Sequence, residues 1–187
     1  MKNVLDIKHR EDFRNWLIEH SKKEKECWLV LKRHKPKEGA FTYLDAVEEA
    51  LCFGWIDSVQ KNIDDITYQR FSPRKKNSPW TELNKERARR LIKLGLMTKE
   101  GKKTLPPLGV RSYKIDPDVE KALKEARVYK TFKSFPSLYQ RVRSYNVSFY
   151  KTIDKEMYHK ALKHLIYETK KGKMFGEWND YGRLLDY

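Results

Sequence analysis

The sequence predicts an α+β fold: a small antiparallel sheet with flanking helices, followed by a helical C-terminal region. Two observations carry this. Short runs rich in Trp, Val, Ile and Tyr stand at residues 27–31, 55–60 and 66–71, while the stretches around them repeat apolar residues at helical spacing. Beyond about residue 72 only helical spacing is left.

Residues 11–22 place Phe13, Trp16, Leu17 and His20 on one helical face. The run Cys27 to Leu31 suits a largely buried strand, which ends in the basic Lys32 to Lys35; a loop follows at Lys37 to Gly39. Thr42 and Asp45 form a capping box ahead of a helix with Leu44, Val47, Ala50 and Leu51 on its apolar face. Asp45, Glu48 and Glu49 are expected on or beside the opposite face, and Gly54 ends the helix. Trp55 to Gln60 and Ile66 to Phe71 read as a hairpin turning at Asn62 to Asp65.

A basic loop, Ser72 to Asn77, comes next. Ser78 before Pro79 reads as an N-cap followed by proline at the first helical position. The helix it opens carries Leu83, Arg87, Leu91 and Ile92 and stops at Gly95; a short one begins at Thr98. Leu105 to Gly109 reads as a linker between a domain at 1–104 and a helical region at 110–187. Asp116-Pro117 opens another helix, residues 135–150 form a further one, and 155–170 read as a helix through Met157, Ala161, Leu162, Leu165 and Ile166.

The chain has 187 residues and a formal net charge of +15, which favours acidic partners: nucleic acid, an anionic small molecule or an acidic protein. No stretch approaches 18 apolar residues, the N-terminus lacks the apolar core of a signal peptide, and two cysteines make no disulfide framework. A reduced, cytoplasmic setting is expected, with no cofactor.

Arg70 to Lys93 holds nine basic residues against two acidic ones. A helix start at Ser78 would favour an anion, with Arg74 adding a bidentate fork and Trp80 a stacking face. In the structural alternative Arg74 pairs with Asp57 or Glu49, Ser78 only caps, and Trp80 is core. For nucleic acid the candidates are Arg70, Lys75, Lys76, Lys85 and Arg89. Residues 43–65 carry a net −5, and neutralisation between the two stretches would weaken the field offered to nucleic acid. As an enzyme, the chain would use Asp57 as base and Arg74 as substrate anchor. Asp64 and Asp65 read as turn residues rather than metal ligands, and Cys27 and Cys52 as small buried side chains. The five histidines show no metal-ligand spacing, so no metal is expected.

The segments YLDAVEEALCFGWIDS (43–58), FSPRKKNSPW (71–80) with Asn84, and LGLMT (94–98) resemble the YdeI/OmdA family of bacteriocin-protection or OmpD-associated proteins. The resemblance covers about residues 10–105. It implies a YjbR/CyaY-like N-terminal fold, some relatives of which are proposed to bind DNA. It adds Asn84 to the anion-site candidates, and it implies a role in bacteriocin or envelope-stress protection. Tyr167 to Lys171 stands as a lysine version of the family's Glu-Thr-Arg pattern.

Overall fold

The computed structural model describes residues 1–31 and 39–187. The expected basic strand end at Lys32 to Lys35 and most of the loop at Lys37 to Gly39 lie outside the described residues. Two compact units are present: Met1–Pro79 with Arg87–Pro106 and Tyr187, and Trp80–Glu86 with Pro107–Asp186. The expected first domain had included residues 80–86, which belong to the second unit.

In the first unit β1 (Val4–Leu5), β2 (Cys27–Val30), β3 (Trp55–Ile63) and β4 (Ile66–Pro73) form one sheet in the order β1-β2-β4-β3. It is antiparallel except for β1, which joins β2 in parallel. Two residues are too few to show a period, so β1 leaves no mark in the sequence. β3 and β4 run longer than expected, because Asp64 and Asp65 alone make the turn, with φ of 48° and 61°. A two-residue turn with both φ positive matches the twist of its strands, and aspartate tolerates that conformation. Asn62 is therefore in the strand, opposite Thr67. One extra residue between Asp57 and Gln60 makes a β-bulge.

α1 (Arg10–His20) and α2 (Tyr43–Cys52) supply the helices of this core. Phe13, Leu17, Leu29, Leu51, Trp55 and Phe71 are all buried, and the rings of Phe13 and Phe71 lie 5.7 Å apart. The capping box of α2 forms as expected: Asp45 N donates to Thr42 Oγ1, and Asp45 Oδ2 accepts from Thr42 N. α3 (Glu82–Lys93) does not start at Ser78-Pro79. Thr81 caps it, its Oγ1 accepting from Asn84 N at 3.1 Å, while Ser78 N closes a turn onto Lys75 O. α4 (Lys99–Lys103) is capped by Thr98 and lies against the end of α2. A Cβ on Gly101 would stand 2.2 Å from the Cys52 carbonyl oxygen, so only glycine permits this approach.

The second unit contains α5 (Pro117–Glu125), α6 (Tyr129–Ser134), α7 (Ser137–Phe149) and α8 (Lys155–Lys170). Their core holds Leu123, Phe132, Tyr139 and Leu165. α6, only six residues long, went unread in the sequence. Asp116 caps α5 through the N–H groups of Asp118 and Val119, and accepts Lys151 Nζ at 3.0 Å. Burial works to raise its pKa, but Lys151 and the two N–H groups outweigh it and hold the carboxyl below the usual range. Its contribution is then present above the unfolded value of about 3.9 and disappears as pH falls through the lower folded value. Asp116→Ala is expected to cost about 0.5–2 kcal/mol at neutral pH. Urea midpoints of parent and variant should converge in strong acid; a gap of constant size would contradict the linkage.

Candidate anion-binding surface

The acidic face of α2 is buried. Glu48 and Glu49 are 0% and 1% exposed, contrary to the outward placement expected from helical spacing. Two α1 arginines and one α3 arginine hold them. Arg10 reaches Glu49 at 2.5 Å and Glu48 at 2.8 Å, Arg14 reaches Glu49 at 2.7 Å, and Arg90 reaches Glu48 at 2.8 Å. Burial works to lower the pKa of Arg10, and Glu48 and Glu49 more than offset it, so the guanidinium is held firmly charged.

This network takes Arg90 out of the basic stretch, and other members go separately. Lys85 pairs with Glu82 at 2.8 Å, Arg87 is buried, Arg89 is half-buried, and Lys93 donates to the Tyr187 carbonyl. The expected basic helix is not a continuous exposed face. Lys85 and Arg89 fall in different units, as do Arg74 and Ser78 relative to Trp80 and Asn84.

Arg74 is 9% exposed; its N–H donates to Gly54 O at 2.9 Å and its Nη1 to Pro79 O at 3.1 Å. Burial draws its pKa down to about 10, against the opposing pull of Asp57. The structure therefore brings Arg74 and Asp57 into electrostatic contact. Asp57 accepts the Tyr43 hydroxyl at 2.6 Å. Ser78 is half-exposed and caps no helix, which removes the helix-start argument for an anion there. Trp80 is half-buried and Asn84 buried. The Cys52 thiol is pushed up to about 12 by burial with Glu49, and burial raises Cys27 too, which favours the protonated thiol of both at neutral pH. Among the described residues no three His, Cys, Asp or Glu side chains gather as for a metal.

Exposed cations collect elsewhere in the first unit. β2 pairs Cys27 with Phe71, so the turn entering β2 and the loop leaving β4 share one end of the sheet. The turn carries Lys22, Lys23 and Lys25, and the loop carries Lys75 and Lys76. Parallel β1 brings Lys2 to the same end, since Asn3 O accepts Trp28 N. α4 joins them with Lys99, Lys102 and Lys103, tied to the turn by the Lys22–Glu100 pair at 3.1 Å. Arg70 faces this end from β4. Lys2, Lys23, Lys25 and Arg70 line a depression of about 530 Å³ with Glu24 and Glu26. Both acids are engaged: Glu24 accepts from Asn3 at 2.8 Å, and Glu26 accepts Trp28 Nε1 at 3.1 Å and Arg70 Nε at 2.6 Å. Those two bonds, Trp28's first, hold the Glu26 carboxyl below its usual range. Among the described residues, Lys2, Lys23, Lys25, Lys75 and Lys76 form no ion pair.

Of the residues expected to meet nucleic acid, Arg70, Lys75 and Lys76 stand at this sheet end, Arg89 is half-buried on α3, and Lys85 belongs to the other unit. Lys2, Lys23, Lys25 and the α4 lysines were missed, since each sits in a short segment of ordinary composition and only strand register unites them.

Comparison with family models gives a match over residues 5–104, described as "Domain of unknown function (DUF8412)". The chain belongs to the DUF8412 family. The matched region runs from β1 through α4, so the DUF8412 portion contains the lysine-rich sheet end apart from Lys2. Most of the helical unit lies outside the DUF8412 match. Comparison with curated proteins gives no match, and neither does comparison with solved structures.

Proposed function

We propose that this protein is a non-catalytic binder of nucleic acid, contacting the phosphate backbone through the lysine-rich end of the first unit's sheet. The observation that supports this is the convergence of exposed lysines from the N-terminus, the α1–β2 turn, the β4–α3 loop and α4. Lysines are mobile point charges, suited to a continuous polyanion rather than to one small ligand. No helix among the described residues is long and apolar enough to cross a membrane, and the buried free thiols suit a reduced, cytoplasmic setting. As part of the same proposal, drawn from the YdeI/OmdA resemblance, this binding serves bacteriocin or envelope-stress protection.

The test is fluorescence anisotropy with a labelled 20-base-pair duplex over a salt series. Log K is expected to fall with log salt by about 0.9 per phosphate contacted. Reversing Lys23, Lys25, Lys75 and Lys76 to glutamate should remove measurable binding at moderate salt. Reversal of exposed Lys121 and Lys130, in the other unit, should leave it intact. Absence of binding at low salt, or equal loss from both sets, would overturn the reading.

A further inference from the structure

α7 of the second unit carries Arg141 and Arg143 two residues apart, and their surroundings differ. Arg141 meets two carboxylates, whereas Arg143 has no ion pair among the described residues. Arg143 is half-buried, and among the described residues its side chain makes one hydrogen bond, from Nη2 to the Glu177 carbonyl at 3.0 Å. Its Nε is buried with no hydrogen-bond partner. Burial lowers its pKa, and Tyr139 and Glu177 only partly oppose this. The guanidinium lies 4.8 Å from the Phe175 ring centroid. Gly176 lets the chain come this close: a Cβ there would stand 2.6 Å from Nη2, and its φ is +61°. The guanidinium is thus a half-buried charge that its surroundings compensate only in part, and an anion beside it would complete the compensation.

The space beside Arg143 is a cleft of about 410 Å³. Tyr145, Phe149, Tyr150 and Phe175 give it aromatic walls, with His164 against Phe175 at 4.4 Å between ring centroids. Phe149 is 40% exposed, an apolar surface open on the cleft side. Size and lining match a small-molecule site: largely apolar walls with few polar groups to fix orientation. We infer that this cleft binds a small aromatic carboxylate, its ring between the aromatic walls and its carboxylate beside the Arg143 guanidinium, which lines the cleft. One guanidinium matches one negative charge through a charge-assisted hydrogen bond. A polyanion would find no second arginine or lysine on the lining.

The experiment is calorimetric titration of the full chain with indole-3-acetate, with indole and acetate as the neutral and ring-free comparisons. Indole-3-acetate should bind, and each comparison should bind at least about tenfold more weakly. Arg143→Gln should reduce indole-3-acetate affinity by about tenfold or more, as removal of the charged half of a charge-assisted bond requires. Ala161→Leu, which keeps Arg143 and fills the cleft from α8, should reduce it as well. Circular dichroism of both variants should match the parent. Reversing Lys75 and Lys76 should change nothing, which separates this site from the nucleic-acid surface. The inference is overturned if indole binds as well as indole-3-acetate, if both cleft variants bind like the parent, or if no heat is detected at millimolar ligand.

Discussion

Glu48→Ala is expected to destabilise the first unit by about 3–5 kcal/mol, the range for removing one partner of a buried ion pair. Glu48 is fully buried and bridges Arg10 and Arg90, each at 2.8 Å. Arg10 keeps Glu49 and Asp45, but Arg90 loses its one carboxylate partner among the described residues. Attraction between the charges cannot then repay their desolvation. Against a typical stability of about 5–15 kcal/mol the loss is large, so the variant should melt far below the parent or fail to accumulate. Glu48→Gln keeps the shape and isolates the charge, and should show most of the same loss. Adding Arg90→Met to Glu48→Gln should recover part of it, with a coupling of about 0.5–3 kcal/mol in a double-mutant cycle. A loss below about 1 kcal/mol in urea unfolding, the level of exposed pairs, would show that the network is not buried in solution.

That network also shows what a sequence conceals. Arg10 and Arg90 lie 38 and 42 positions from Glu48, so helical spacing alone placed the acid outside. Local signals were readable: the Thr42–Asp45 box, the Asp116–Pro117 start and the 155–170 helix each rest on residues within one or two turns. The start of α3 misled because Ser78-Pro79 and Thr81 are competing signals three residues apart, and proline fits the preceding turn as well as a first helical position. The apolar spacing begins only at Leu83 and cannot choose between them. For the surface, Arg70, Lys75 and Lys76 were legible because they are close in sequence. The rest of the lysine cluster depends on β1 pairing in parallel with β2 and on α4 returning to the end of α2, which no local pattern encodes. The Arg143 cleft matches no motif, since its aromatic walls read as core at helical spacing.

Arg141→Ala is expected to cost about 3–5 kcal/mol, while Arg143→Gln, two positions away, should cost about 1 kcal/mol or less. Arg141 is 6% exposed and bonds Glu82 at 3.1 Å and Glu86 at 2.8 Å. Its removal leaves Glu82, 1% exposed, dependent on Lys85 alone among its ion pairs, and weakens the hold on Glu86. Arg143 differs in kind. Its loss removes a cation–π contact to Phe175 at 4.8 Å but also relieves a buried charge that Tyr139 and Glu177 compensate only in part, and the two effects oppose each other. Urea unfolding followed by circular dichroism and by tryptophan fluorescence measures both variants. A stable Arg141 variant would mean that Glu82 and Glu86 find solvent or other partners and that the triad is not structural. An Arg143 variant as damaged as the Arg141 one would mean that Arg143 holds the helices together rather than serving the cleft. The expected pattern of one costly and one nearly neutral arginine on the same helix follows from where the carboxylates are, not from burial.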